Sequence, residues 1–502
     1  MNAHAGRPSA ILGLIVAGYV ALALLYALLT PAWQVPDEPA HFNYVRHIVQ
    51  TGEFPILREG DYPHAYLEQI KARRFPPDMP IDPIRYEFHQ PPLYYVLAAG
   101  VYWPFAGAPL TTQVIALRLL SIAFGAGLLV AAYRLARLIF PGRPALALGA
   151  AAFIAFLPMH VAFAAGITND PLAELMLALI LLALAGYLST RSGMERPPAR
   201  RLLGLGLLLG LGLITKTTVY YALPALAFGL FWMELRYSPP ARRGLNLVRA
   251  LALAFLPALI IALPWYVRNS AIYGGLDILG LGRHDAVVEG QLRTAEWVAA
   301  VGPLAAGREF VRTTFQSFWA QFGWMGILID RRLYQLLGLL SGLVAFGALA
   351  GVWRCRQRRV RLSEFQWVAL GALALVAVGT VAGYLWYNLH FVQHQGRYLF
   401  PALIPIGLAG AFGLWALFTP GVARAAAGLL AAGCAALLAL GLARGDLPAA
   451  WLAVLGALAA GFAVIGWRGR DAWRAPLLAA AKAGMLAFAL LCLFGFVVPY
   501  FG

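Results

Sequence analysis

The chain has 502 residues, of which 61% are hydrophobic and only 12% charged, a composition that excludes a water-soluble domain of this size and describes an all-α polytopic membrane protein. Its three cysteines, at 355, 434 and 492, offer no CxxC or Cys/His spacing, which excludes a disulfide framework and structural zinc. The formal net charge of +17 would suit a nucleic-acid partner if it were gathered on a soluble face, so its distribution decides its meaning.

Apolar runs of spanning character recur at 10–30, 113–139, 144–166, 171–190, 202–215, 218–235, 248–267, 333–353, 366–387, 400–418, 425–443, 449–466 and 477–499. The first is longer than the apolar region of a signal peptide and lacks a small-x-small cleavage site, so it is read as a retained span. Segment 202–215 falls short of the ~20 residues that a perpendicular span needs and is read as extending through Thr217 or crossing thinner, protein-lined membrane. If the runs alternate, the loops on one side hold 21 of the 39 basic residues, from Arg7 and Arg196 to the cluster Arg354, Arg356, Arg358, Arg359 and Arg361. Only Glu195, Glu234, Glu364 and Asp471 oppose them there. The whole excess of +17 lies on that side, which the positive-inside rule assigns to the cytoplasm, with no nucleic acid required. About thirteen spans then place the amino terminus inside and the carboxyl terminus outside.

The first outward loop, 31–112, opens with "WQVPDEPAHFNY" (33–44). Pro36 and Pro39 suit a helix start, and Phe42, Val45, Ile48 and Val49 continue the apolar period until Gly52 stops it. Asp37 and Glu38 then have two readings. Asp37 caps the helix while Glu38 complements its dipole, a role worth ~0.5–2 kcal/mol; or both acids share a face with His41, at i+4 and i+3, that can act as general base or hold a divalent ion. Further on, "HQPPLYYVLAAGVYWPFAG" (89–107) reads as a juxtamembrane helix at the interface, because counting it as a span would turn every later arginine cluster outward.

The tight outward turn "GITNDPLAEL" (166–175) carries Asp170, and Glu174 follows one turn later at bilayer depth. Asp170 is either a cap, a role that Asn169 and Thr168 suit equally, or a functional acid facing a cavity. Basic residues mark other outward span ends: Lys216 in "LITKTTVYY" (213–221), Arg268 in "LPWYVRNS" (263–270), and His390, His394 and Arg397 in "NLHFVQHQGRYLFP" (388–401). Each alone reads as a snorkelling anchor; together they oppose the positive-inside trend, and arginine offers a planar fork that fits a phosphate. The second outward loop, 268–332, ends in "REFVRTTFQSFWAQFGWMG" (308–326), whose aromatics at near-helical spacing read as an interfacial helix that either anchors or lines a groove.

In order along the chain, "PDEPAHF", "HQPPLYY", "RLARLIF", "TND", "ITK" and "QGRYLFP" resemble the GT-C glycosyltransferases, the membrane superfamily that includes protein mannosyltransferases and lipid A aminoarabinose transferases. With "SFWAQFGW" (317–324), the opening and closing motifs look most like a bacterial branch known as membrane proteins. The resemblance implies an inverting transfer of a sugar from a polyprenyl-phosphate carrier to a glycan, lipid or protein acceptor, on the outer face of a bacterial cytoplasmic membrane. It implies catalytic roles for Asp37, Glu38 and Asp170, and carrier or acceptor binding by His41, Lys216, Arg268, His394 and Arg397. A divalent ion, Mg²⁺ or Mn²⁺, at Asp37, Glu38 and Asp170 stays open. So does a lipid-linked glycan flippase or other transporter, because intramembrane charges also mark transport paths. The implied organisation is a first transmembrane helix with a catalytic outward loop (1–112), a transmembrane core (113–267), the aromatic second loop (268–332) and a carboxyl-terminal bundle (333–502).

Overall fold

In this computed structural model, residues 6–193 and 197–502 are described; Glu195 and Arg196 of the charge reading lie outside the described residues, as does the side chain of Arg7. The chain is almost wholly helical, because apolar segments in lipid must satisfy their own backbone hydrogen bonds. In order, the amino-terminal half contains α1 (Gly6–Leu29), α2 (Glu38–Thr51), α3 (His64–Ala72), α4 (Leu93–Tyr102), α5 (Leu110–Ile139), α6 (Pro144–Phe156), α7 (Pro158–Ala164), α8 (Asp170–Ser192), α9 (Ala199–Leu213), α10 (Ala222–Tyr237) and α11 (Arg243–Tyr273). The loop 268–332 contributes α12 (Leu281–Val287), α13 (Thr294–Val301), α14 (Pro303–Trp319) and a hairpin of β1 (Gln321–Phe322) and β2 (Ile327–Leu328). The carboxyl-terminal bundle comprises α15 (Arg331–Gln357), α16 (Glu364–His390), α17 (Leu403–Leu417), α18 (Pro420–Arg444), α19 (Ala449–Arg468) and α20 (Asp471–Cys492).

Among the described residues, 11 helices are long and apolar enough to cross a membrane, and the pair α6 and α7 makes a twelfth, bent by 64°. Pro158 begins α7, and its missing N–H and fixed φ explain the break. The thirteenth expected span is α9, which at 15 residues reaches only about 22 Å. Long side chains and the extended residues beyond it let the segment reach both ends of α8: Arg201 near its start bonds Thr190 at the end of α8, and Lys216 beyond its end pairs with Asp170 at the start of α8. Helices approach closely where glycines face each other. A Cβ on Gly347 of α15 would lie 2.4 Å from the Gly413 carbonyl oxygen of α17, so only glycine permits that contact.

The loop 31–112 folds over the ends of α1, α5 and α8 around a core of its own, in which Phe42, Tyr44, Ile70, Ile84, Tyr94, Tyr95 and Leu117 are fully buried. Tyr44 and Tyr95 stack with ring centroids 3.6 Å apart, joining α2 to α4. As expected, α4 is too short to cross, and it packs inward on α2 through Tyr94, Tyr95 and Ala98. The aromatic helix expected over 308–326 ends at Trp319. Three successive positive-φ residues, Gly323, Trp324 and Met325, turn the chain back into the antiparallel hairpin instead, with Gln321 opposite Leu328 and Phe322 opposite Ile327.

Candidate active site

Asp37 stands at the N-cap position of α2 in the left-handed region, φ 68°, a conformation that aspartate tolerates better than most residues. Its side chain makes no capping hydrogen bond, so the capping reading fails. Instead one carboxylate oxygen accepts from the Tyr86 hydroxyl at 2.8 Å and the other from Arg397 Nη2 at 2.7 Å. The two side chains keep 21% and 10% of their surface exposed. Burial pushes the Asp37 carboxyl up; the charges of Arg397 and His41 and the bonds from Arg397 and Tyr86 outweigh it and hold the group below the usual carboxylate range. Arg397 is held in turn over the rings of Phe163, 4.5 Å from its centroid, and Tyr398. Phe163 lies on α7, beyond the proline break.

A second pair lies beside the first. Lys216 Nζ donates to Asp170 Oδ1 at 2.6 Å, and the Thr168 hydroxyl donates to Oδ2 at 3.1 Å. Asn169 occupies the N-cap position of α8 without capping it and donates to Gln90 Oε1 at 3.3 Å. His41 Nδ1 lies 2.8 Å from the Tyr95 hydroxyl. Burial chiefly lowers the His41 pKa, with Lys216 lowering it further against the opposing charges of Glu87, Asp37 and Asp170. Glu87 is 9% exposed and its Oε2 has no partner. Burial raises its pKa most, and Asp37 adds to the rise against His41 and Lys216.

The other expected site residues are placed elsewhere. Glu38 is 0% exposed and grips Arg118 through both oxygens at 2.8 Å, while accepting from the Trp33 and Ile167 backbone N–H groups. Arg118 gives its remaining donors to the carbonyls of Ala27, Thr30 and Pro31. Glu38 is thus a saturated buried clamp between α1, α5 and the turn before α8. The expected shared face of Asp37, Glu38 and His41 therefore does not form, because the left-handed Asp37 turns its carboxylate away from that of Glu38. Arg268 donates to the Phe54 and Pro55 carbonyls and lies over Trp265, so it does not join Lys216 and Arg397. His394 packs edge-on against Phe310. Glu174 pairs with His160 at 2.8 Å within the bundle. Among the described residues no three His, Cys, Asp or Glu side chains group as a metal site. With Glu38 turned away and Asp37 and Asp170 each holding a cation, this donor set does not fit Mg²⁺ or Mn²⁺.

Sequence reasoning missed Arg118, His160 and Glu87. The first two had a signal, as ionisable residues inside apolar runs. Glu87 had none beyond being an acid in the aromatic "YEFHQPP" (86–92).

Residues 90–267 match the sequence profile of the dolichyl-phosphate-mannose-protein mannosyltransferase family. Over that segment the chain carries the pattern of a membrane glycosyltransferase family. Comparison with curated protein sequences finds no match. Among solved structures, the chain is similar to ArnT from Cupriavidus metallidurans bound to undecaprenyl phosphate, with 16% identity over 97% of this chain and 75% of that one and a TM-score of 0.47. It is also similar to the Archaeoglobus fulgidus oligosaccharyltransferase in complex with Zn and sulfate, with 16% identity over 89% and 53% of the two chains and a TM-score of 0.48. The Saccharomyces cerevisiae Pmt1–Pmt2 complex bound to its sugar donor matches 52% of this chain and 34% of its own, with 19% identity and a TM-score of 0.35. The chain thus spans about half the length of the oligosaccharyltransferase, 53%.

Proposed function

We propose that the protein is a GT-C glycosyltransferase that moves a sugar from a polyprenyl-phosphate carrier to a hydroxyl-bearing acceptor on the outer face of a bacterial cytoplasmic membrane. The observation that carries this reading is the meeting of Asp37 with Arg397 and of Asp170 with Lys216 at one end of the bundle; the family match over 90–267 supports it. The acceptor oxygen attacks the anomeric carbon, its proton passes to Asp37, and the bond from that carbon to the phosphate oxygen breaks with its electron pair leaving on the carrier phosphate. Attack opposite the leaving group inverts the anomeric centre. Arg397 and Lys216 stabilise the charge that develops on the phosphate. A phosphate leaving group needs little protonation, so a single carboxylate base suffices.

Asp37 is a weak base while Arg397 holds it. A carrier phosphate that takes the guanidinium deprives Asp37 of its counter-ion and raises its basicity when the donor is seated. No step requires a divalent ion.

The test is purified protein in nanodiscs with radiolabelled undecaprenyl-phosphate mannose and a panel of glycan, lipid and peptide acceptors. Transfer of label from the carrier to an acceptor is expected. In sealed proteoliposomes of the same protein, label that crosses the bilayer still attached to its carrier, with no product formed, would instead establish the transporter reading.

A further inference from the structure

Two buried acceptor atoms at the site have no hydrogen-bond partner in the chain, Glu87 Oε2 and Asn169 Oδ1. They flank one residue. Gln90 lies beside the Glu87 carboxyl and accepts from Asn169 Nδ2 through its Oε1; its own position is fixed by the Tyr44 hydroxyl on its carbonyl. Buried polar atoms left without partners are rare, and each calls for an explanation. Asn169 sits where its oxygen would normally cap α8, yet it makes no cap and is fully buried. Glu87 has no cation of its own, because Arg397 and Lys216 are held by Asp37 and Asp170.

We propose that Glu87, Gln90 and Asn169 form a subsite for the ring of the transferred sugar, in which Glu87 and Asn169 accept hydrogen bonds from its hydroxyl or amino groups. This rests on the donor reading above and adds the part of the donor that is recognised. A patch rich in acceptors calls for a ligand rich in donors, which a sugar ring is and a lipid tail or a bare phosphate is not. The neighbouring cations suit the phosphate, so donor charge and donor ring are read by different groups. Burial raises the pKa of the Glu87 carboxyl, which lessens its charge cost beside the incoming phosphate. Sites of this kind discriminate strongly, because an analogue that lacks the matching hydroxyl leaves buried groups unpaired.

The experiment measures affinities of the full-length protein in nanodiscs for bare undecaprenyl phosphate and for the same carrier bearing mannose, glucose, galactose or glucosamine. Wild type should prefer at least one glycosylated carrier over the bare one. Glu87→Leu, which removes both acceptor oxygens, and Asn169→Ala should each reduce that preference about tenfold or more, while affinity for the bare carrier stays within about twofold. If Glu87→Leu does not fold, Gln90→Met at a half-buried position reads the same subsite. Unchanged preference in the variants overturns the inference, as does an equal loss for bare and glycosylated carriers, which would mark a structural role or a buried water. Wild type that binds the bare carrier without any sugar preference overturns the subsite alone. Wild type that binds no carrier at all overturns the donor reading and the subsite with it.

Discussion

Neighbouring acids in the motif "DE" (37–38) are put to opposite uses by their partners. Glu38 is enclosed with Arg118 at 2.8 Å, and removing one member of such a buried pair leaves an uncompensated charge that costs about 3–5 kcal/mol. Glu38→Gln should therefore lower the melting temperature and folded yield sharply. Asp37→Asn should lower the melting temperature less than Glu38→Gln does, since asparagine accepts the left-handed backbone, no cap is lost and the Asp37 and Arg397 side chains keep 21% and 10% of their surface exposed. The same change should reduce transfer by roughly 10²–10⁴-fold. Normal turnover in Asp37→Asn would refute the base role. Arg397→Lys separates the planar fork from mere charge: transfer should fall about tenfold or more, whereas free substitution by lysine would make the residue an anchor. At this scale the sequence displayed the acids and cations at span ends but not their pairing. Local spacing carries information within one helix, whereas Arg118 lies 80 positions from Glu38.

Two elements of the second outward loop brace the first. Trp324, at the tip of the hairpin, donates from Nε1 to the Trp33 carbonyl at 2.8 Å and stacks on Phe75, so the strained turn leading to Asp37 is gripped from outside. Trp324→Phe keeps the ring and removes the donor. It should lower kcat about tenfold with carrier affinity unchanged, because small misplacements of a reacting group are expensive in rate; an unchanged kcat would release the hairpin from this role. The other brace is His284 of α12, whose ring centroid lies 4.6 Å from that of His89. Burial chiefly lowers the two pKa values, to about 3 at His284 and about 4 at His89, and the His89 ring lowers that of His284 further. Asp285 and Asp37 oppose this at His284, where Arg293 adds to it; at His89, Asp277 opposes it while His41 and Lys216 add to it. Both are depressed below the ordinary 6.5, so the unfolded chain binds more protons in that window. Stability should therefore fall as pH drops from about 6.5 towards 4, and His284→Phe should flatten the dependence of melting temperature on pH. The hairpin was not legible in the sequence because two-residue strands have no detectable period and its turn uses Trp324 and Met325 at positive φ.

For the whole molecule, hydropathy set nearly all the long helices, since each span must be apolar throughout. The shortest, α9, was visible only as a weak run because it has just 15 residues, with one face packed through Gly206 and Gly210 against α11. Sidedness rests on the charge asymmetry and is open to direct measurement. In a variant lacking Cys355, Cys434 and Cys492, Glu59→Cys should react with an impermeant thiol reagent from outside and Gln357→Cys only after the membrane is opened. The reverse labelling would invert the orientation and move the acids to the cytoplasmic face.

Asp37 and Arg397 are separated by 360 positions, against 80 between Glu38 and Arg118. At ~5–20 residues synthesised per second, Arg118 follows Glu38 by about 4–16 s, whereas Arg397 follows Asp37 by about 18–72 s. A nascent chain can thus close the Glu38–Arg118 clamp early, while Asp37 stays without its cation until the segment after α16 has been made. If the proposed function holds, the long-range pair acts as a completeness check written into the order of biosynthesis: a chain released before residue 397 lacks the partner that completes the site and is expected to show no transfer.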